Sequence, residues 1–326
     1  MKALVYEDVE TLIYRYMPDP VPGLGQSLIR IEASGICGSD MHAYLGHDDR
    51  RPAPLILGHE AAGTVRGGQL DGQRVTINPL VTCGMCPACL AGRDNLCPDR
   101  MIISMPPREG AFGDFVVMAD RNLVVVPEGV SLTKAALAEP LACGWHAVRL
   151  GADALDMPIA DARCVVLGGG AIGVGAALCL RAFGAVDITV VEPNAVRRVV
   201  LDDIDGFIAC ESAADLTADL VIDGVGFAAT RANATRITRP GGVIMHIGLG
   251  SADGGLDIRR MTLQEITFIG TYTYTAQDFR DTAAAIFDGR LGPLNWCEER
   301  PLSEGAQAFA DIRAGSVAAP KIILRP

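Results

Sequence analysis

Between Ser27 and Ala33 the apolar Ile29, Ile31 and Ala33 alternate with the charged Arg30 and Glu32. A period of two is the mark of a strand with one buried face. Met1–Val5, Arg74–Ile77, Phe115–Met118 and Leu123–Val126 are further β-type runs, and glycine and proline punctuate at Pro22-Gly23, Gly67-Gly68, Pro106-Pro107 and Pro127. No long helical period is visible over residues 1–140, so an antiparallel, barrel-like domain is the simplest expectation there. From Cys164 the texture changes. Cys164–Leu167 is a continuous apolar run, followed by glycines and an apolar stretch to Phe183 that predicts a buried helix. Asp187–Val191, Phe207–Ala209, Leu220–Asp223, Val243–Ile247 and Thr267–Gly270 predict strands, with a helix around Thr230–Thr238. Near-continuous apolar strands separated by helices predict a parallel sheet covered on both faces. Gln277–Asp288 has helical spacing, and Lys321–Leu324 reads as a strand returning to the first domain.

Composition narrows the function. A chain of 326 residues, 49% of them hydrophobic, can build two cores. Lys and Arg number 28 against 39 Asp and Glu, a formal charge of −11. A field of that sign disfavours general affinity for nucleic acid or an anionic membrane, and leaves a local phosphate site open. No apolar run reaches the ~18–20 residues of a membrane span, and no basic region with an apolar stretch precedes the first strand. A cytoplasmic protein acting on a small molecule is expected. In that reducing compartment the ten cysteines are not a disulfide framework.

Four of them crowd together as Cys83, Cys86, Cys89 and Cys97, a C-x2-C-x2-C-x7-C spacing. Four thiolates close a tetrahedron round Zn²⁺ and leave no open position, so this is a structural zinc loop. Elsewhere Cys37 lies in Gly35-Ile-Cys37-Gly-Ser39-Asp40-Met-His42, and His59 and Glu60 lie in Gly58-His59-Glu60-Ala-Ala-Gly63. One sulfur, one imidazole and one carboxylate suit zinc and leave a place for substrate. Glu139 sits in the apolar Ala138-Glu139-Pro140-Leu141, where a carboxylate either caps something or meets a cation.

In the second half Gly168, Gly170 and Gly173 form G-x-G-x-x-G between a strand and a helix. Such a turn brings a helix N-terminus to a pyrophosphate. Gly168, Gly170, Ile172 and Gly173 are the candidate contacts. Glu192 ends the next strand, nineteen residues after Gly173, where a carboxylate can accept bonds from an adenosine ribose and repel a 2′-phosphate. NAD is therefore expected. Arg197 and Arg198 argue the other way, since either could pair with that phosphate.

These blocks, in this order, resemble the zinc-containing medium-chain alcohol and polyol dehydrogenases, within them the sorbitol and threonine dehydrogenase branch. The likeness covers essentially the whole chain. It implies an α/β chain with an antiparallel barrel-like catalytic domain, residues 1–143 and 282–326, and a doubly wound parallel-sheet (Rossmann) domain, residues 144–281. It implies one catalytic zinc near Cys37, His59 and Glu60, and Glu139 in place of a second cysteine ligand, with Cys143 as its rival. It implies hydride transfer from an alcohol to NAD, Ser39 and His42 relaying the proton, Arg197 beside an NAD ribose, and a homodimer or homotetramer. Tyr44, Phe112 and Tyr272 match pocket-lining regions, and the polar loop His47–Arg50 favours a hydroxyl-rich substrate. A threonine or amino-alcohol dehydrogenase and a non-catalytic dinucleotide-binding relative are the alternatives. Two departures stand out: the turn before Gly72-Gln73-Arg74-Val75 is short, and so is the chain between Glu192 and Asp223.

Overall fold

The computed structural model describes residues 1–326. Two compact units form, residues 1–139 with 275–288 and 297–326, and residues 140–274 with 289–296. The first division falls four residues before the one expected after 143, inside the helix Ala138–Ala154. The second falls seven residues before the one expected after 281, and 289–296 return to the second unit.

In the first unit the main sheet runs Leu123–Val125, Arg74–Ile77, Glu60–Arg66, Gln26–Gly35, Lys321–Arg325, Cys297–Pro301, and Phe115–Ala119 also pairs with Gln26–Gly35. The alternation read in Ser27–Ala33 buries Ile29, Ile31 and Ala33 as predicted. Pairing is antiparallel with one exception: Cys297–Pro301 lies parallel to Lys321–Arg325. The expectation of an antiparallel domain is corrected at that edge. The tail strand does return to the first domain. Ile323 faces Gly35, and Gly35 faces Glu60 across the other side.

The second unit carries six parallel strands in the order Ile208–Cys210, Asp187–Val191, Arg163–Leu167, Ala218–Asp223, Thr238–His246, Thr267–Gly270. Counted along the chain this is 3-2-1-4-5-6, the doubly wound dinucleotide-binding order. The central apolar runs become buried strands, with Val165, Val221 and Ile244 in one core, while the edge strands Ile208–Cys210 and Thr267–Gly270 are half-exposed. The helix Gly305–Arg313 has no counterpart in the sequence reading. It spans two to three turns with only three buried residues, too short a stripe to register as a period. No helix is long and apolar enough to cross a membrane.

Candidate metal centre and cofactor turn

The ligand atoms of Cys37, His59 and Glu60 lie within 4.8 Å of one another. Local chain geometry explains the meeting. Gln26–Gly35 ends just before Cys37, which is the N-cap of the helix Gly38–Tyr44. Asp40, fully buried on the first turn, accepts the Cys37 N–H at 2.9 Å through Oδ2 and the Gly58 N–H at 3.2 Å through Oδ1. The same Oδ1 stands 3.5 Å from His59 Nδ1. One carboxylate thus ties the loop of the cysteine to the loop of the histidine. With Nδ1 facing Asp40 and the Ser104 hydroxyl at 3.4 Å, His59 keeps Nε2 for a metal. Burial works against charge on both partners, yet their mutual attraction prevails. It holds the Asp40 carboxyl below its ordinary pKa and His59 well above. A metal ion takes the place of that proton when it binds.

Glu60 completes the donor set. Its Oε1 accepts from Lys321 Nζ at 2.6 Å, while Oε2 is buried with no hydrogen-bond partner. An orphaned carboxylate oxygen beside a thiol and an imidazole is what a zinc site with an open position requires. Gly35 makes room, since a Cβ there would overlap Oε2. Burial disfavours the Lys321 charge, but Glu60, Cys37 and Glu139 outweigh it and hold its pKa above the ordinary value. Glu139 is buried on the first turn of its helix. Its carboxylate acts on the Lys321 ammonium together with Glu60 and Cys37.

Cys83, Cys86, Cys89 and Cys97 form the second cluster, again with sulfurs within 4.8 Å of one another. Cys83 and Cys89 sulfurs are 4.0 Å apart. Two thiolates on one tetrahedral zinc, each ~2.3 Å from the ion, stand ~3.8 Å apart. The Cys86 N–H donates to the Cys83 sulfur at 3.3 Å, and the Cys89 N–H to the Cys86 sulfur at 3.5 Å. Amides of Met85 and Cys86 pull the Cys83 thiol down to about 7.

Ser39 and His42 lie three residues apart on one face of Gly38–Tyr44, the serine half-buried and the histidine exposed. Tyr44 and Phe112 are corrected. Both pack on Phe309, at ring centroid distances of 5.3 and 6.0 Å, inside a core cluster. Tyr272 is half-buried in the second unit. In the polar loop, Asp48 binds both Arg50 and Arg51, while His47 and Asp49 are exposed and the His47 ring meets that of His42 edge-on, centroids 6.4 Å apart.

At the glycine turn, Gly168 has φ 101°, and a Cβ on Gly173 would collide with the Gly168 carbonyl. Gly170 caps the helix Ala171–Ala182 and faces open space, with Ile172 half-buried on its first turn. Glu192 is buried, with Oε2 accepting the Gly169 N–H at 2.9 Å and Oε1 the Asn194 N–H at 2.8 Å. Strand end and glycine turn are thereby pinned together. Arg197 lies 3.9 Å from Glu192. Arg198 is committed elsewhere: it donates to the carbonyls of Glu192 and Pro193 at 2.8 and 2.7 Å.

Comparison with known proteins agrees with this geometry. Residues 23–128 match the alcohol dehydrogenase GroES-like domain, and residues 171–288 match the zinc-binding dehydrogenase domain. The sorbitol dehydrogenase of Bacillus subtilis (strain 168) is 32% identical over 299 residues, 84% of this chain and 82% of that one. The L-galactonate-5-dehydrogenase of Escherichia coli (strain K12) is 30% identical over 308 residues, 89% of this chain and 88% of that one. The chain belongs to the zinc-containing medium-chain alcohol and polyol dehydrogenase family. A solved zinc-binding dehydrogenase from Sinorhizobium meliloti 1021, bound to NADP, shares the fold of this dehydrogenase. Its identity is 26% and its TM-score 0.89, over 100% of this chain and 99% of that one.

Lys321 and Ser104 are parts of the candidate metal centre that sequence reasoning missed. Lys321 and Glu60 are 261 residues apart, and no local spacing pairs them. The one signal was a lysine opening an otherwise apolar strand. Asp40 supports the cluster through the Cys37 and Gly58 N–H groups and His59 Nδ1. Asp40→Asn is expected to weaken zinc binding at the cluster by about 10–100-fold, because the His59 ring loses its charged orienting partner. A chelator competition that finds unchanged affinity would contradict this.

Proposed function

We propose that this dehydrogenase oxidises a secondary hydroxyl of a polyol, sugar alcohol or related polyhydroxy compound, with NAD as hydride acceptor. The observation that carries the reading is the Cys37–His59–Glu60 cluster with its unpartnered Glu60 oxygen. Zinc held there supplies Lewis acidity that lowers the pKa of a substrate hydroxyl. Cys37 and Glu60 contribute two negative ligands, and His59, oriented by Asp40, the neutral third. Ser39 takes up the hydroxyl proton, and His42, exposed on the same helix face, passes it to water. The polyhydroxy substrates named for the sorbitol and L-galactonate relatives support the substrate class. A homodimer or homotetramer in the cytoplasm belongs to the same reading, on the strength of the family resemblance alone.

NAD is favoured over NADP by Glu192. Its buried carboxylate stands at the end of the second strand of the parallel sheet, beside the glycine turn, and opposes a 2′-phosphate. Arg198 is tied to backbone carbonyls, so the countervailing cation is Arg197 alone. Glu192→Ala is expected to raise the KM for NAD and to shrink the preference over NADP by about 1–2 kcal/mol, the scale of a charge-assisted hydrogen bond. An unchanged ratio of kcat/KM values would show that Glu192 does not choose the cofactor.

A panel of polyols, sugar acids, threonine and long-chain alcohols, assayed with NAD⁺ and NADP⁺ by absorbance of the reduced nicotinamide, tests the whole reading. Polyhydroxy compounds with NAD⁺ should lead. Preference for threonine would move the assignment to amino-alcohol oxidation, and no turnover on any alcohol would refute it.

A further inference from the structure

Lys321 is an ammonium buried to 4% side-chain exposure, and it faces a carboxylate with none of its side chain exposed. Two of its bonds converge on the metal centre. Nζ donates to Glu60 Oε1 at 2.6 Å and to the Ile36 carbonyl at 2.8 Å. Ile36 immediately precedes Cys37. The lysine therefore clips the carboxylate ligand to the backbone that carries the thiolate ligand. Its own strand is fixed independently, since Ile323 and Leu324 pair with Gly35 and Ser34. Gly35 in turn stands opposite Glu60 and leaves its Oε2 unobstructed.

We propose that Lys321 is a positioning residue of the metal centre: it engages one oxygen of Glu60, so that the carboxylate presents only Oε2 to the zinc. The proposal rests on the reading of Cys37, His59 and Glu60 as zinc ligands. A lysine suits the task because its ammonium is a compact point donor. The guanidinium of arginine is a planar fork that matches both oxygens of a carboxylate. Without the lysine, Glu60 is free to turn both oxygens towards the metal and change its coordination number. Before metal binds, the buried Glu60 carboxylate would also lack its only cationic partner.

The test uses the full-length protein with cobalt(II) or zinc(II) loaded into the open site and zinc retained in the four-cysteine loop. The visible d–d spectrum of the cobalt form reports coordination number, and chelator-driven release of zinc reports affinity. In Lys321→Met the cobalt bands should shift and weaken, and zinc should leave about 10–100-fold faster, as for other groups that orient metal ligands. Far-UV circular dichroism and one retained zinc per chain verify the fold. Should Lys321→Met not fold, Lys321→Arg keeps the charge and is expected to perturb the same two readouts, because its fork takes both carboxylate oxygens. A wild-type cobalt spectrum and release rate in the folded variant overturns the proposal. Glu60→Gln separates it from the reading beneath it. If Glu60→Gln alters the cobalt spectrum while neither lysine variant does, Glu60 is a ligand and Lys321 does not position it. If Glu60→Gln itself leaves the spectrum unchanged, the ligand reading fails and the proposal fails with it.

Discussion

His59→Ala is expected to remove catalysis while leaving the fold. Of the three donors within 4.8 Å, His59 alone is a neutral nitrogen held by a dedicated partner. Deleting it leaves a thiolate and one carboxylate oxygen, too few to hold zinc with an open position for substrate. Lewis-acid activation is worth several kcal/mol, so kcat/KM should fall by at least about a thousandfold, or ~4 kcal/mol. The stability cost is modest. Asp40 loses His59 but keeps the N–H groups of Cys37 and Gly58 and the attraction of Arg51, so a loss of about 1–3 kcal/mol is expected. Zinc analysis should show one ion fewer per chain than wild type. Near-normal turnover in the folded variant would remove the cluster from the mechanism.

Cys89→Ser should act in the opposite sense, on stability first. The Cys83–Cys97 segment has one four-residue helix and one 3-10 turn, and exposes Met85 and Leu90 at 77% and 76%. It has little core of its own, so four thiolate bonds to zinc hold it. Hydroxyl for thiolate removes one of them. The loosening should spread, because Asp94 in this segment accepts the Ala276 N–H at 3.1 and 3.2 Å and so caps the helix Ala276–Phe287. We expect loss of one zinc and a melting temperature lowered by at least several degrees, at a few °C per kcal/mol. The Cys37–His59–Glu60 cluster, made from other elements, should keep its metal. Full zinc content and an unaltered melting curve would contradict the structural role.

Local pattern made much of this legible. His59 and Glu60 are adjacent, the four cysteines fall within one loop, and the central parallel strands are continuous apolar runs separated by helices. What the sequence hid depends on distant packing or on charge. Cys297–Pro301 is polar and only partly buried, so no alternation betrays it as an edge strand. Phe112 matches a region that lines the pocket in the family it resembles, yet Phe309, from a helix near the other end of the chain, claims its face. The approach of Lys321 to Glu60 is set by the register of the tail strand, which no local spacing reveals. Arg198 could be read as a phosphate ligand until its carbonyl partners were visible.

The central claim is that NAD-linked oxidation of a polyhydroxy substrate runs on a zinc held by Cys37, His59 and Glu60, separate from the four-cysteine zinc. Stepwise chelation tests it most directly, with zinc per chain, activity and melting temperature followed on the same samples. Activity should fall in proportion as the first equivalent leaves, with the melting temperature largely kept, and return when zinc alone is restored. Activity that survives loss of the first equivalent, or that disappears only as the protein melts, would contradict it.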